Sequence, residues 1–316
     1  MSIGRFLKLT GVGLIAALTL LGCGTSTSNQ SAANGSTGPE QYPIKEINIA
    51  SQAQSEAIIV DNMLKEIIES KTPIKVKLQE TSGGSALTHS LMEKNNIQVY
   101  FGYDGTELDK VFHLKYTAGE FVGHPDAVSK YVKDNELKRF GIWVSPSLGF
   151  QDTYAIAVKE DVATKDHLKT FSDCAPYAKN WIFATDPDVI SDVMPGFEKA
   201  YPNLKFKRVI SMDYNLMYQA LADNSVQAIM AFSTDGRLTK LKEVPLTDNK
   251  NYFPPYNGIV LIKNDVVQKD HLDAVLAKLW GSISTSEMTH MNELVDVEKA
   301  DPAKVAHDFL TRKGII

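Results

Sequence analysis

From residue 44 onward, short runs of alternating apolar and polar positions trade places with longer stretches at helical spacing. Ile47 and Ile49 alternate with polar neighbours, which predicts a strand. Residues 55–69 then place Ile58, Ile59, Met63, Leu64, Ile67 and Ile68 on one stripe, which predicts a helix. Ile74, Val76 and Leu78 predict a second strand, residues 86–94 a helix and 97–100 a strand. The same pattern predicts strands at 154–158, 181–184, 206–210, 226–232 and 259–262. It predicts helices at 125–136, 190–201, 213–223, 269–282 and 302–312. The alternation implies an α/β fold with mostly parallel sheets. The stretch is long enough for two lobes, with a small-molecule site in the cleft between them. No internal repeat is visible.

The first 43 residues follow a different pattern. Arg5 and Lys8 precede Leu9–Leu21, an apolar run too short to span a ~30 Å hydrocarbon core comfortably. The run ends Leu20-Leu21-Gly22-Cys23, which resembles a bacterial lipobox. Residues 1–22 are therefore expected to be a lipoprotein signal peptide, with Cys23 as the lipid-modified first residue of the mature chain. The alternative is an ordinary export signal with a chance cysteine. Residues 23–43 are rich in Ser, Gly, Asn and Thr and cannot bury enough surface to order themselves, as expected of a flexible tether.

Composition narrows the function classes. The 316 residues carry 33 basic and 38 acidic groups, a net charge of −5. Loss of residues 1–22 removes two basic groups and leaves −7, so there is no basic footprint for nucleic acid. Two cysteines, Cys23 and Cys174, provide neither a disulfide framework nor a four-cysteine zinc site. No HExxH, GxSxG, P-loop or GxGxxG motif is present, and Gly83-Gly84-Ser85 reads as a turn. The seven histidines lie apart, without metal-ligand spacing, and read as surface or capping residues. Cys174 reads as a half-buried small residue and Asp186 and Asp188 as helix caps. No catalytic residue, metal or cofactor is expected. Trp143, Trp181 and Trp280 read as core. Arg237 and Asp235 have two readings, ligand contact or an internal ion pair shaping a loop; the ion pair is the simpler.

Four aromatic segments stand outside the helical stripes: VYFGYDGTEL (99–108), GFQDTYAIAV (149–158), AFSTDGRL (231–238) and NYFPPYNG (251–258). Together they resemble the substrate-binding proteins of ABC importers for osmoprotectants such as glycine betaine, choline and carnitine, over residues 44–316. The family patterns EYTGT and GFNNTYAL look like residues 102–106 and 149–156 here. The resemblance implies a type II periplasmic-binding-protein-like fold, with two α/β lobes joined by two crossing segments. It places lobe I at 44–154 and 257–316 and lobe II at 155–256. It also implies an aromatic cage of Tyr103, Tyr154, Phe232 and Tyr256 around a quaternary ammonium head, with Thr106 and Gln52 as further ligand contacts. A trimethylammonium group has no N–H to donate, so aromatic faces are its natural partners.

This chain departs from the family at two cationic positions. The pattern SKNFTEQ looks like residues 51–57, which makes the family lysine Gln52 and the glutamine after the acid Ala57. The arginine of ERPDG corresponds to Asp186. The losses leave a ligand carboxylate only Thr106 and backbone N–H groups, and so point away from glycine betaine toward choline or another ligand without a buried carboxylate. The implied protein is a monomeric, lipid-anchored, extracytoplasmic receptor that serves a permease encoded as a separate chain. Its rivals are an amino-acid receptor built on Arg237 and Asp235, a surface hydrolase and an adhesive lipoprotein.

Overall fold

The structure, a computed structural model, describes residues 42–316 apart from 82, 83, 118 and 188. The expected signal peptide, Cys23 and nearly all of the expected tether lie outside the described residues.

Among the described residues, ten strands form two five-stranded sheets. In chain order they are β1 (Glu46–Ser51), β2 (Lys75–Glu80), β3 (Val99–Tyr103), β4 (Ile142–Val144), β5 (Tyr154–Lys159), β6 (Ile182–Thr185), β7 (Arg208–Ser211), β8 (Ala228–Phe232), β9 (Glu243–Leu246) and β10 (Gly258–Lys263). The first sheet has the order β2-β1-β3-β10-β4 and the second β7-β6-β8-β5-β9. The predicted α/β class is therefore correct, but the expectation of mostly parallel sheets is not. In each sheet two pairings are parallel and two antiparallel. β10 runs against both β3 and β4, and β5 against both β8 and β9, because each arrives by a crossing from the other sheet.

Each sheet has apolar layers on its faces. Helix Ser55–Lys71 buries Ile59, Val60, Met63, Leu64, Ile67 and Ile68 against β1, as its stripe requires. β3 and β10 are buried along most of their length, which explains why they read as continuous apolar runs. Trp181 is core and Trp143 packs on Trp280 at 6.0 Å. The predicted helix at 269–282 is broken into Asn264–Asp270, Leu272–Val275 and a short turn Ala277–Leu279, with His271 in the left-handed region at φ 52°.

The crossing segments pair with one another. Gln151 bridges Asn257, Asp152 N donates to Tyr256 O at 3.0 Å and Gly258 N to Phe150 O at 3.1 Å. Helix Thr285–Asp296, which the apolar pattern did not predict, packs on both Ser55–Lys71 and Gly236–Leu241. A Cβ on Gly236 would lie 2.4 Å from the Glu293 amide nitrogen and 2.6 Å from its Cα. Gly236→Ala should therefore cost about 1–3 kcal/mol or more through overpacking, read as a lower midpoint in urea. An unchanged midpoint would show that the two helices separate freely.

Candidate functional site

Three of the four expected cage residues, Tyr103, Tyr154 and Phe232, sit at strand ends. Tyr103 ends β3 and Phe232 ends β8, directly opposite Tyr154 in the β5–β8 register. Tyr256 immediately precedes the crossing into β10. The rings of Tyr154 and Phe232 are 4.9 Å apart and those of Tyr103 and Tyr256 6.4 Å apart. Tyr214, in the helix Tyr214–Ala222, stands 5.8 Å from Phe232, and Phe253 stands 4.9 Å from Tyr154. Tyr103 and Phe232, from opposite sheets, line one cavity of about 240 Å³.

The segment carrying Tyr256 is held by Asp104. Its carboxylate accepts from the Asn257 backbone and side-chain amides at 2.9 and 2.7 Å and from Ser129 at 2.5 Å. Gly105 lies beneath this segment so closely that a Cβ would stand 2.1 Å from Pro255 O. The aspartate-glycine step of GYDGT thus fixes the position of the tyrosine on the other crossing.

Gln52 and Thr106 line a neighbouring cavity of about 520 Å³, which shares Tyr103 and Gln54 with the first. Lys110, one turn beyond Thr106 in helix Asp104–Lys110, lines it too, and its ammonium pairs with Asp109 at 2.6 Å. A cationic side chain therefore stands beside Thr106. This qualifies the inference that losing the family lysine leaves a carboxylate only hydroxyl and backbone partners.

The sequence reading missed the acids of the cleft. Glu56, 5% exposed, accepts a hydrogen bond from the Tyr103 hydroxyl and another from Asn292 Nδ2 at 3.0 Å. Asn292 also donates to Thr234 O at 2.9 Å, so one side chain ties helix Ser55–Lys71 to the loop after β8. Burial, with Asp152 nearby, pushes the Glu56 carboxyl up to about 8. Burial raises Asp152 to about 6. Signals for these residues did exist. Glu56 is the acid of the SKNFTEQ-like stretch, and Asp152 stands where GFNNTYAL has asparagine. The Asn292 helix opens with a capping box, Ser284 and Glu287, ahead of Met288 and Met291.

Arg237 and Asp235 form the internal ion pair, with Nη2 2.6 Å and Nε 2.9 Å from the carboxylate. The guanidinium lies over the Tyr214 and Tyr218 rings at 4.7 and 4.0 Å. Asp186 accepts from Val189 N at 3.0 Å, a cap as expected. Asp188 lies outside the described residues. Cys174 is fully buried, and burial raises its thiol to about 12, which makes it a poor nucleophile. His89 overturns the surface reading: it is 2% exposed and bonds Glu93 at 3.0 Å and Glu136 at 2.9 Å. Its ring meets Phe140 edge-on at 4.7 Å, and one of its nitrogens meets Glu136, an acid that would otherwise be buried alone. Among the described residues, no group of His, Cys, Asp and Glu could hold a metal, and no helix is long and apolar enough to cross a membrane.

Two α/β lobes joined by paired crossings, with an aromatic cavity between their sheets, define a type II periplasmic binding protein. Residues 45–312 match the substrate binding domain of ABC-type glycine betaine transport systems, and the chain belongs to that family. It is a non-enzymatic solute-binding component of an ABC importer. It is 31% identical over 273 residues to the carnitine transport binding protein OpuCC of Listeria monocytogenes, across 85% of this chain and 87% of that one. It is 30% identical to the ergothioneine transport permease/ergothioneine binding protein EgtU of Helicobacter pylori, across 86% of this chain and 48% of that protein. A crystal structure described as a glycine betaine/carnitine/choline ABC transporter superposes with a TM-score of 0.79 at 30% identity. The match covers 85% of this chain and 99% of that one.

Proposed function

We propose that the chain captures a small trimethylammonium solute between its lobes and delivers it to an ABC permease. Tyr103, Tyr154, Phe232 and Tyr256 form the cage around the cationic head. Gln52, Thr106 and Lys110 receive whatever polar tail extends into the neighbouring cavity. The lobes divide at 44–154 with 257–316, and at 155–256. The protein works outside the cytoplasm as a monomer, tethered by lipid on Cys23 after removal of residues 1–22.

One observation carries this reading: Tyr103 and Phe232 come from different sheets yet line the same cavity. Ligand contacts made to both lobes favour the closed arrangement, which is the shape a permease can sense. The amino-acid reading loses its anchor, because the Arg237 guanidinium is engaged by Asp235 and stacked on two tyrosines.

A thermal-shift panel tests the reading. Choline, carnitine, glycine betaine, ergothioneine and the common amino acids are each added to purified protein. A ligand at 100 times its Kd adds about 2.7 kcal/mol of stability, a clear rise in melting point. At least one trimethylammonium compound should produce it. A panel in which only amino acids do so, or in which nothing does, rejects the cage.

A further inference from the structure

At one edge of the cage, hydrogen-bond acceptors outnumber donors. The cavity shared by Tyr103 and Phe232 is also lined by Glu56, Asp152, Tyr214 and Asn292. Most of its donors are already used: the Tyr103 hydroxyl on Glu56, the Tyr214 hydroxyl on Asp235 at 2.8 Å, the Ser55 hydroxyl on Asp296, the Asn292 amide on Glu56 and Thr234, and the Thr234 hydroxyl and backbone N–H on Asp152, which leaves the exposed Gln54 side chain. The two Asn292 bonds to acceptors fix which end of its amide is nitrogen, and so orient its oxygen.

Two acceptor atoms remain. Asp152 Oδ1 and Asn292 Oδ1 are both buried and have no hydrogen-bond partner among the described residues. Asn292 is only 5% exposed. Buried acceptors left unmatched are costly, so a pair of them on one ligand cavity points to a donor supplied from outside the chain. The quaternary head cannot supply it, having no N–H.

We propose that Asp152 and Asn292 form a donor-reading subsite, which receives an O–H or N–H carried by the solute beside its trimethylammonium group. This rests on the trimethylammonium reading above and narrows it. Hydroxylated cations such as choline and carnitine satisfy the pair, and glycine betaine, which has no such donor, does not. A carboxylate tail, where present, lies toward Lys110 and Thr106 rather than against Asp152, where two negative groups would meet.

The test compares each hydroxyl compound with its own O-methyl ether, which keeps the charge and removes the donor. Purified protein is titrated calorimetrically with choline, carnitine and the two ethers, and with glycine betaine. A hydrogen bond to a charged acceptor is worth enough to make choline or carnitine bind at least about tenfold tighter than its ether. In Asp152→Ala that ratio should fall below about threefold. In Asp152→Asn, which keeps an acceptor oxygen, it should stay above that. A merely structural role for Asp152 would lower all affinities together and leave the ratio unmoved, which overturns the subsite. Ethers that match their parents on the wild-type protein also overturn it, while the cage stands. Glycine betaine binding without choline or carnitine has the same meaning. If no trimethylammonium compound binds, both proposals fall.

Discussion

Loss of the Tyr154 and Phe232 rings together should weaken binding of a trimethylammonium ligand roughly 5- to 1000-fold. The two rings are neighbours at 4.9 Å across the β5–β8 pair; Phe232 lines the cavity it shares with Tyr103, and Tyr154 lines a second one with Phe253. A desolvated cation–π contact is worth about 0.5–2 kcal/mol, so two of them sum to about 1–4 kcal/mol. At 1.4 kcal/mol per decade that is roughly 5- to 1000-fold in Kd. Calorimetric titration of Tyr154→Ala/Phe232→Ala measures it, with a melt of the unliganded variant as the folding control. That control matters because Tyr154 also packs on Phe253, 4.9 Å away. Phe232→Tyr, which keeps the ring face, should bind within about threefold of the parent on the same argument. A double variant that stays folded and loses less than about fivefold would place the cation elsewhere.

The unliganded protein should become less stable as the pH rises from about 4 to about 8, and Asp61→Leu should remove a large part of that loss. Asp61 is fully buried in helix Ser55–Lys71, and neither carboxylate oxygen has a hydrogen-bond partner among the described residues. Burial pushes its carboxyl up to about 8, from an ordinary value of 3.8. The folded state therefore holds a proton that the unfolded chain has already released. The stability this contributes is complete below the unfolded value and is lost as the pH climbs through the folded one. Glu56 and Glu107, each raised to about 8 chiefly by burial, add in the same direction. Ionising a carboxyl in the folded state costs about 1.4 kcal/mol for each pH unit by which its folded value exceeds the unfolded one, a cost that leucine does not carry. The gain from Asp61→Leu should thus be large at pH 8.5 and small at pH 5. Denaturant melts at those two values decide it. A parent protein whose stability is flat or rising over that interval would mean that these carboxyls find partners in solution.

The same burial should couple cation capture to pH. Glu56 and Asp152 lie at the cavity and are raised to about 8 and about 6. Ionising them restores negative charge beside the bound head. A cationic ligand should therefore stabilise the protein more at pH 8 than at pH 5, opposite in sign to the unliganded trend. Melting-point shifts at saturating ligand across that range measure the difference.

Most of the frame is legible along the chain because strand alternation and helical stripes are short-range patterns. Ile47 with Ile49, and the Ile58–Ile68 stripe, reappear as β1 and its covering helix. β4 escaped because three residues hold too little periodicity to register, and β9 because the proline inside Glu243–Leu246 reads against a strand. Strand direction escaped as well. β10 and β5 run antiparallel to their neighbours because they are crossings, and a crossing is a property of topology rather than of local sequence. The aromatic segments were legible as candidates through turn-rich, non-periodic surroundings and family resemblance, which is how Tyr103, Tyr154, Phe232 and Tyr256 came to be named together.

The chain alone determined the α/β class and the lack of catalytic motifs, and it singled out the four rings as candidates for a cation site. Only the tertiary structure decided what surrounds those rings. Glu56, Asp152 and Asn292 come from three separate segments, and nothing local marks them as neighbours. Helix Thr285–Asp296 brings them together by packing on both lobes, where Gly236 leaves no room for a side chain. Charge and hydrogen-bond balance in a cleft depend on which distant groups share a dry volume, and that volume exists only once the two sheets face each other.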